Sequence, residues 1–185
     1  MNKKLIINFY GGPGSGKSTS ATALFSQLKF MDINCEYVSE YAKDLTWAKR
    51  HNELDNQIYI FGKQYHKMHR LKEVDIIVTD SPLLLSLIYS KGYPFYDELK
   101  ALVLKVNKSF DNINIFLNRT KKYNPSGRNQ TAEESIQIDR DILELLEINT
   151  RMNDLYTFNG DVDIAKNIIN HSEIKEKIAQ HKNKY

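Results

Sequence analysis

The sequence predicts an α/β fold in three layers, with helices on both faces of a mostly parallel five-stranded sheet. Three observations carry that expectation. Short apolar runs alternate with helical patterns along the chain, the order that builds parallel sheets through crossover helices. Residues 74–78 and 113–117 are strongly apolar and rich in β-branched side chains, as strands buried on both faces are. A glycine-rich segment, Gly11 to Gly16, lies directly between the first apolar run and the first helical pattern.

With 185 residues, of which 41% are hydrophobic, the chain fits one domain with a real core. Residues 5–9 read as the first strand, 18–30 as a helix and 36–38 as the second strand. Across 53–71 the residues Leu54, Ile58, Phe61, Tyr65, Met68 and Leu71 recur at steps of three or four, with Asn52 placed to cap an amphipathic helix. His66 and His69 fall off that stripe and read as solvated polar residues. Residues 74–78 form the third strand and deliver Asp80 at its carboxyl end, before Ser81-Pro82 opens another helix. After the strand at 113–117, residues 119–130 are basic, contain Pro125 and Gly127 and lack periodicity, which marks a loop carrying Lys121, Lys122 and Arg128. Thr131 with Glu134 is a capping box, and the helix it starts continues through Ile142 and Leu146. Residues 155–158 make a last short strand. Beyond Ile169 the chain is charged and weakly periodic, as a marginal helix or a frayed end is. The expected domain therefore covers 1–171, with a small lid at about 119–130 and a charged tail at 172–185.

The formal charge of +3 is mild, short of the clustered basic excess of most nucleic-acid binders. A single cysteine, Cys35, excludes an intramolecular disulfide and zinc-ligand spacings; in a buried strand it is an inert thiol suited to a reducing compartment. The apolar run at 5–10 is too short for a signal-peptide core or a membrane span, so the expected location is the cytoplasm, with no membrane partner.

Gly11-Gly12-Pro13-Gly14-Ser15-Gly16-Lys17-Ser18 has the Walker A spacing in the strand–turn–helix context that motif requires, and so predicts a phosphate-binding loop. Glycines let the backbone fold tightly with its N–H groups turned inward around phosphates. Lys17 would reach the β- and γ-phosphates of ATP, and the Ser18 hydroxyl would take a position on Mg²⁺ beside the helix N-terminus. Thr19 adjoins the site and would bind, pack or cap. Asp80 is the candidate Walker B carboxylate on the metal side, in a place where a helix N-cap also stands. Glu40 follows the strand ending near Ser39 and would project from the same sheet edge, as general base or acceptor clamp, or as partner of the next helix dipole. Arg128 leads the lid cations that phosphoryl transfer calls for, with Arg119 and Arg140 behind it. Trp47, Tyr41 and Tyr65 could stack on a base, although aromatics at helical spacing more often serve a core.

On these residues the sequence resembles the NadR-like AAA_28 group of P-loop kinases, which includes ribosylnicotinamide kinase domains and many phage-encoded proteins. Four blocks over about residues 4–170 carry the resemblance. They are the P-loop, Ser39-Glu40-Tyr41-Ala42-Lys43-Asp44, Val78-Thr79-Asp80-Ser81-Pro82, and Asn124-Pro125-Ser126-Gly127-Arg128 with Asp139-Arg140 behind it. The resemblance implies a P-loop kinase fold, use of Mg-ATP, an acceptor site near Glu40 and Asp80, a lid around Arg128, and a nucleotide-side role for Arg140. The Asn- and Lys-rich composition looks like the phage branch, where related kinases act on hydroxymethyluracil within DNA. Pro82 stands where the ribosylnicotinamide kinases have an acidic residue, so the reaction type carries over and nicotinamide riboside specificity does not. The expected reaction is transfer of a γ-phosphate to the hydroxyl of a nucleoside- or nucleotide-like molecule. The alternatives are a modified base in DNA as acceptor, with DNA as partner, and an ATP-driven switch with no small acceptor. Asn118-Arg119-Thr120-Lys121 lacks the Asn-Lys-x-Asp guanine reader. A monomer or homodimer is expected.

Overall fold

The computed structural model describes residues 3–120, 122–124 and 130–182. The strands β1 (Leu5–Tyr10), β2 (Cys35–Val38), β3 (Ile76–Thr79), β4 (Asp111–Asn118) and β5 (Leu155–Asn159) form one sheet in the order β2-β3-β1-β4-β5. Each neighbouring pair is parallel. The helices are α1 (Lys17–Phe30), α2 (Tyr41–Trp47), α3 (His51–Leu54), α4 (Gln57–His69), α5 (Ser86–Tyr89), α6 (Tyr96–Asn107), α7 (Ala132–Asn149), α8 (Ile164–Asn170) and α9 (Ser172–His181).

The strand sequences explain the layering. Every residue of β1 and β3 is buried, which is why these runs alternate so little between apolar and polar. One face packs Ile7, Phe9, Val78 and Ile115 against Leu24 and Leu28 of α1 and Ile168 of α8. The other packs Ile6, Tyr10, Ile77 and Phe116 against Phe61 of α4, Val103 of α6 and Ile142 of α7. A polar pair marks the sheet centre: Asn8 lies opposite Asn114 in register, and its amide donates to the side-chain oxygens of Asn112 at 3.0 Å and Asn114 at 3.2 Å. A one-residue slip would turn Asn8 to the other face without these partners, so the pair helps fix which residues emerge at the carboxyl edge. β1 has β3 on one side and β4 on the other, and the chain leaves it in opposite directions, which opens a crevice above its carboxyl end.

Several boundaries differ from those the periodicity predicted. Asn52 caps nothing; the stripe is split into α3 and α4, and the cap is Asn56, whose Oδ1 accepts from the Tyr59 amide at 3.0 Å. The apolar spacing runs across the break because Leu54 turns into a cleft rather than onto the sheet. Ser81-Pro82 leads not into a regular helix but into a 3-10 turn over Leu83–Leu85 followed by the single turn of α5. The Thr131–Glu134 capping box forms with both reciprocal bonds, at 3.2 Å and 2.7 Å. Of the two alternatives for the segment after Ile169, a helix is what forms. α9 buries Ile174 and Ile178 in the core and fastens Lys177 to Asp111 at 2.9 Å and Asp154 at 2.8 Å. Its apolar positions are few, which is why the sequence pattern is weak. Cys35 is buried, and burial pushes its thiol up to about 11, in keeping with an inert core residue. Among the described residues no helix is long and apolar enough to cross a membrane.

Candidate functional site

The loop after β1 takes the conformation its glycines permit. Gly14 and Gly16 have φ of 83° and 97°, in the left-handed region where a Cβ is strained. Gly16 is the N-cap of α1, where no side chain caps the helix and its first turn has no acidic residue. The N-terminal amides and the helix dipole are therefore left for an anion. Lys17 folds back over the loop and donates to the carbonyls of Gly11 at 2.6 Å and Gly12 at 3.2 Å. Burial lowers its pKa, against the pull of Glu40, Asp80 and Asp139.

The opposite side of the loop is gripped by the end of β4 and the first turns of α7. Asp139 accepts from the Gly12 amide at 2.5 Å through Oδ1 and pairs with Arg119 through Oδ2 at 2.5 Å. Arg119 also donates to the Pro13 carbonyl at 2.9 Å and to the Ser135 hydroxyl, and that hydroxyl donates to the Pro13 carbonyl at 2.5 Å. A Cβ on Gly12 would stand 2.6 Å from the Ser135 carbonyl and 2.9 Å from the Arg119 guanidinium. Glycine is needed here for close approach, not for its φ.

Two carboxylates come to the same edge from β2 and β3. Glu40 occupies the N-cap position of α2 yet makes no side-chain capping bond. The Tyr41 amide is taken instead by Gln64 of α4 at 3.0 Å, while Lys67 donates to the Ser39 carbonyl at 2.7 Å and hydroxyl at 2.9 Å. α4 thus pins the turn and leaves the Glu40 carboxylate free to face the loop. Burial raises its pKa above the ordinary glutamate value; Lys17 opposes the rise and Asp80 adds to it. Asp80 is 2% exposed, caps no helix, and has a buried Oδ1 with no hydrogen-bond partner. Burial, and after it the Asp80 charge, raise the pKa of the Tyr37 phenol.

A cleft of about 470 Å³ starts at the P-loop, passes Glu40 and runs between α2, α4 and α5. Its lining includes Pro13, Gly14, Gly16, Lys17, Ser18, Thr19 and Glu40 together with Trp47, Leu54, Gln57, Ile60 and Tyr89. Trp47 is 65% exposed, so it is not a core residue. Tyr41 and Tyr65 are not in the cleft lining; Tyr41 bonds the Tyr59 hydroxyl at 2.8 Å and Tyr65 stacks on Phe61.

The structure thus brings together Gly11 through Thr19, Glu40 and Asp80. It does not bring Arg140 to them: that side chain is exposed on α7, where its hydrogen bond is to Gln137 at 3.5 Å. The neighbouring Asp139 holds the loop instead. Arg128, with half of the expected lid, lies outside the described residues, while Gln130 at its end lines the cleft. Sequence reasoning missed Ser135 and Tyr89 and ranked Arg119 too low. Arg119 directly follows β4 at the sheet edge, which is the signal that could have raised it.

Comparison with solved structures places the fold. The chain is similar to the NadR protein whose crystal structure was solved in complex with NR, with a TM-score of 0.69 and 16% identity. The alignment covers 98% of this chain and 52% of that one, so the chain spans about half the length of NadR. No curated protein matches by sequence. The model of the AAA_28 family, described as an AAA domain, matches residues 6–157. That match takes in the P-loop, both edge carboxylates and the Arg119–Asp139 pair, and the protein is a member of the AAA_28 family.

Proposed function

We propose that the protein is an ATP-dependent phosphotransferase that moves the γ-phosphate to a hydroxyl of a nucleoside-like acceptor bound in the cleft. The carrying observation is the shared lining of that cleft: Lys17 and Ser18 of the loop, the Glu40 carboxylate and the aromatic side chains of Trp47 and Tyr89 all border it. An ATPase switch needs no room for an acceptor beside the loop.

Ser18 and Asp80 fit a divalent cation, because a buried carboxylate oxygen without a partner is costly unless something binds it, and hard cations prefer oxygen donors. When bound, Mg²⁺ neutralises triphosphate charge. The chain itself does the rest. The loop amides and the α1 N-terminus hold the phosphates, and Lys17 follows the charge that builds on the β–γ bridging oxygen as that bond breaks. Glu40 takes the proton of the acceptor hydroxyl while its oxygen bonds to the γ-phosphorus, leaving ADP and a phosphomonoester. α2 and α5 hold the acceptor in line.

Glu40→Gln should lower turnover by about a hundredfold or more, the usual worth of a positioned base, with ATP affinity little changed. The acid limb of the pH–rate profile should lie above the ordinary glutamate value and vanish in the variant. Stability moves the other way. A raised folded-state pKa means that ionising Glu40 costs stability as pH rises through that window, so at neutral pH the variant should melt no lower than the wild type. A lowered melting temperature with intact turnover would make Glu40 a structural residue.

A base within DNA is a second reading, favoured by one observation. A shallower trough of about 290 Å³ shares Leu54, Gln57 and Tyr89 with the main cleft and continues past Lys91 and Tyr93, room for an acceptor larger than one nucleoside. Incubation with γ-labelled ATP and Mg²⁺ against nucleosides, nucleotides, nicotinamide riboside, plain DNA and hydroxymethyluracil-containing DNA separates the cases. Label on a free small molecule supports the first reading, label confined to modified DNA the second, and acceptor-independent hydrolysis alone refutes both.

A further inference from the structure

We propose that Gln64 is the positioning residue for the Glu40 carboxylate, its buried amide fixing both peptides that flank Glu40 while the same face of α4 lines the acceptor cleft. The proposal rests on the phosphotransferase reading above.

Two peptide planes decide where a side chain leaves the backbone, because the peptide bond is planar and only φ and ψ turn between one plane and the next. On either side of Glu40 those planes are held by one side chain. Gln64 Oε1 accepts from the Tyr41 amide at 3.0 Å, and Gln64 Nε2 donates to the Ser39 carbonyl at 3.4 Å. The amide thus bridges the Glu40 Cα and holds φ at −62° and ψ at 122°. With both dihedrals set, so is the direction of the Glu40 Cα–Cβ bond. Lys67, three residues along α4, adds to the hold by donating to the Ser39 carbonyl at 2.7 Å and hydroxyl at 2.9 Å.

Gln64 is 3% exposed, and a buried amide is costly unless its donors and acceptors are matched. An N-cap side chain ordinarily bonds the first-turn amides itself, and Glu40 makes no such bond. The backbone at Glu40 is held from α4 instead, and the carboxylate is spared for the cleft. Gln57, Ile60 and Gln64 recur at steps of three and four on α4, and all three line the cleft with Glu40. One helix therefore carries both a wall for the acceptor and the amide that aims the base. The distance from acceptor hydroxyl to carboxylate is set within a single element. That matters because a misplacement of about 1 Å can cost about a hundredfold in rate.

Gln64→Met approximates the length of the side chain and deletes both bonds. The test measures kcat and KM for wild type, Gln64→Met, Glu40→Gln and the double variant, with a melting curve for each. The acceptor is whichever member of the γ-labelled ATP panel takes the label. Gln64→Met should lower kcat by about tenfold to a hundredfold with little change in KM for ATP or acceptor. In the Glu40→Gln background it should cause no further loss, because no base is left to aim. A residue that only supports the fold would lower both backgrounds alike, and one that binds the acceptor would raise the acceptor KM. Either result overturns the inference and leaves the phosphotransferase reading standing. Lys67→Met, at a residue outside the cleft lining, should show the same pattern with a smaller loss, and it decides the cycle if Gln64→Met does not unfold cooperatively. If Glu40→Gln turns over like wild type, the inference falls with the assignment of Glu40 as base. If the wild type labels no acceptor, it falls with the phosphotransferase reading itself.

Discussion

Lys17→Ala should lower acceptor-dependent phosphoryl transfer by at least about a hundredfold to a thousandfold while leaving the protein folded and no less heat-stable at neutral pH. The rate expectation follows from removing a preorganised cation from the oxygens that gain charge as the β–γ bond breaks. The stability expectation follows from electrostatics. Burial lowers the Lys17 pKa, so the folded protein binds that proton less tightly than the unfolded chain does. That cost is relieved only as pH rises from the lowered folded-state value to the ordinary lysine value of 10.5, so at neutral pH the buried lysine still carries a cost that alanine removes. Against this stand the two bonds to the Gly11 and Gly12 carbonyls, which alanine forfeits at about 1 kcal/mol each. The two effects oppose one another, and the melting temperature should equal that of wild type or rise. Single-turnover transfer from γ-labelled ATP, paired with calorimetric melting, reads both. Normal turnover would refute the assignment of the loop, and a collapsed melting temperature would make Lys17 structural.

What was legible beforehand follows from the range of each signal. Walker A spacing is local, and it located Gly11 through Thr19 because the chemistry needs those residues consecutively. β3 and β4 were legible because strands buried on both faces cannot hide their apolar character. α4 was found but started four residues early, since Leu54 is apolar for the sake of the cleft and periodicity does not record which surface a residue faces. α9 was faint because two isoleucines and a lysine clamp, rather than a full stripe, hold it down. Glu40 and Asp80 could be placed at the sheet edge from strand ends alone. That Gln64 would take the Tyr41 amide and free Glu40 could not, since those residues meet only through the packing of α4. The same limit hid the pairing of Arg119 with Asp139.

That pairing makes the second large effect fall on Gly12. Gly12→Ala should destabilise the protein by about 1–3 kcal/mol and weaken nucleotide binding, even though glycine has no side chain to offer a ligand. The added methyl would meet the Ser135 carbonyl at 2.6 Å, the Arg119 guanidinium at 2.9 Å and Asp139 Oδ1 at 3.1 Å. Arg119 can swing aside, but the Ser135 carbonyl belongs to the α7 backbone and yields only if the helix moves. Moving α7 breaks the Asp139 bond to the Gly12 amide and the Ser135 bond to the Pro13 carbonyl, so the loop loses its fixed wall together with its packing. At roughly 2–4 °C per kcal/mol for a chain of this size, the drop is readily measured by calorimetry. Asp139→Asn separates steric from electrostatic causes, because its amide oxygen can still accept from Gly12 while the charge opposite Arg119 is gone. If the grip of α7 sets the loop, both variants should bind ADP more weakly, Gly12→Ala the more so. If Gly12→Ala melts and binds like wild type, α7 yields without cost and the clamp does not organise the loop.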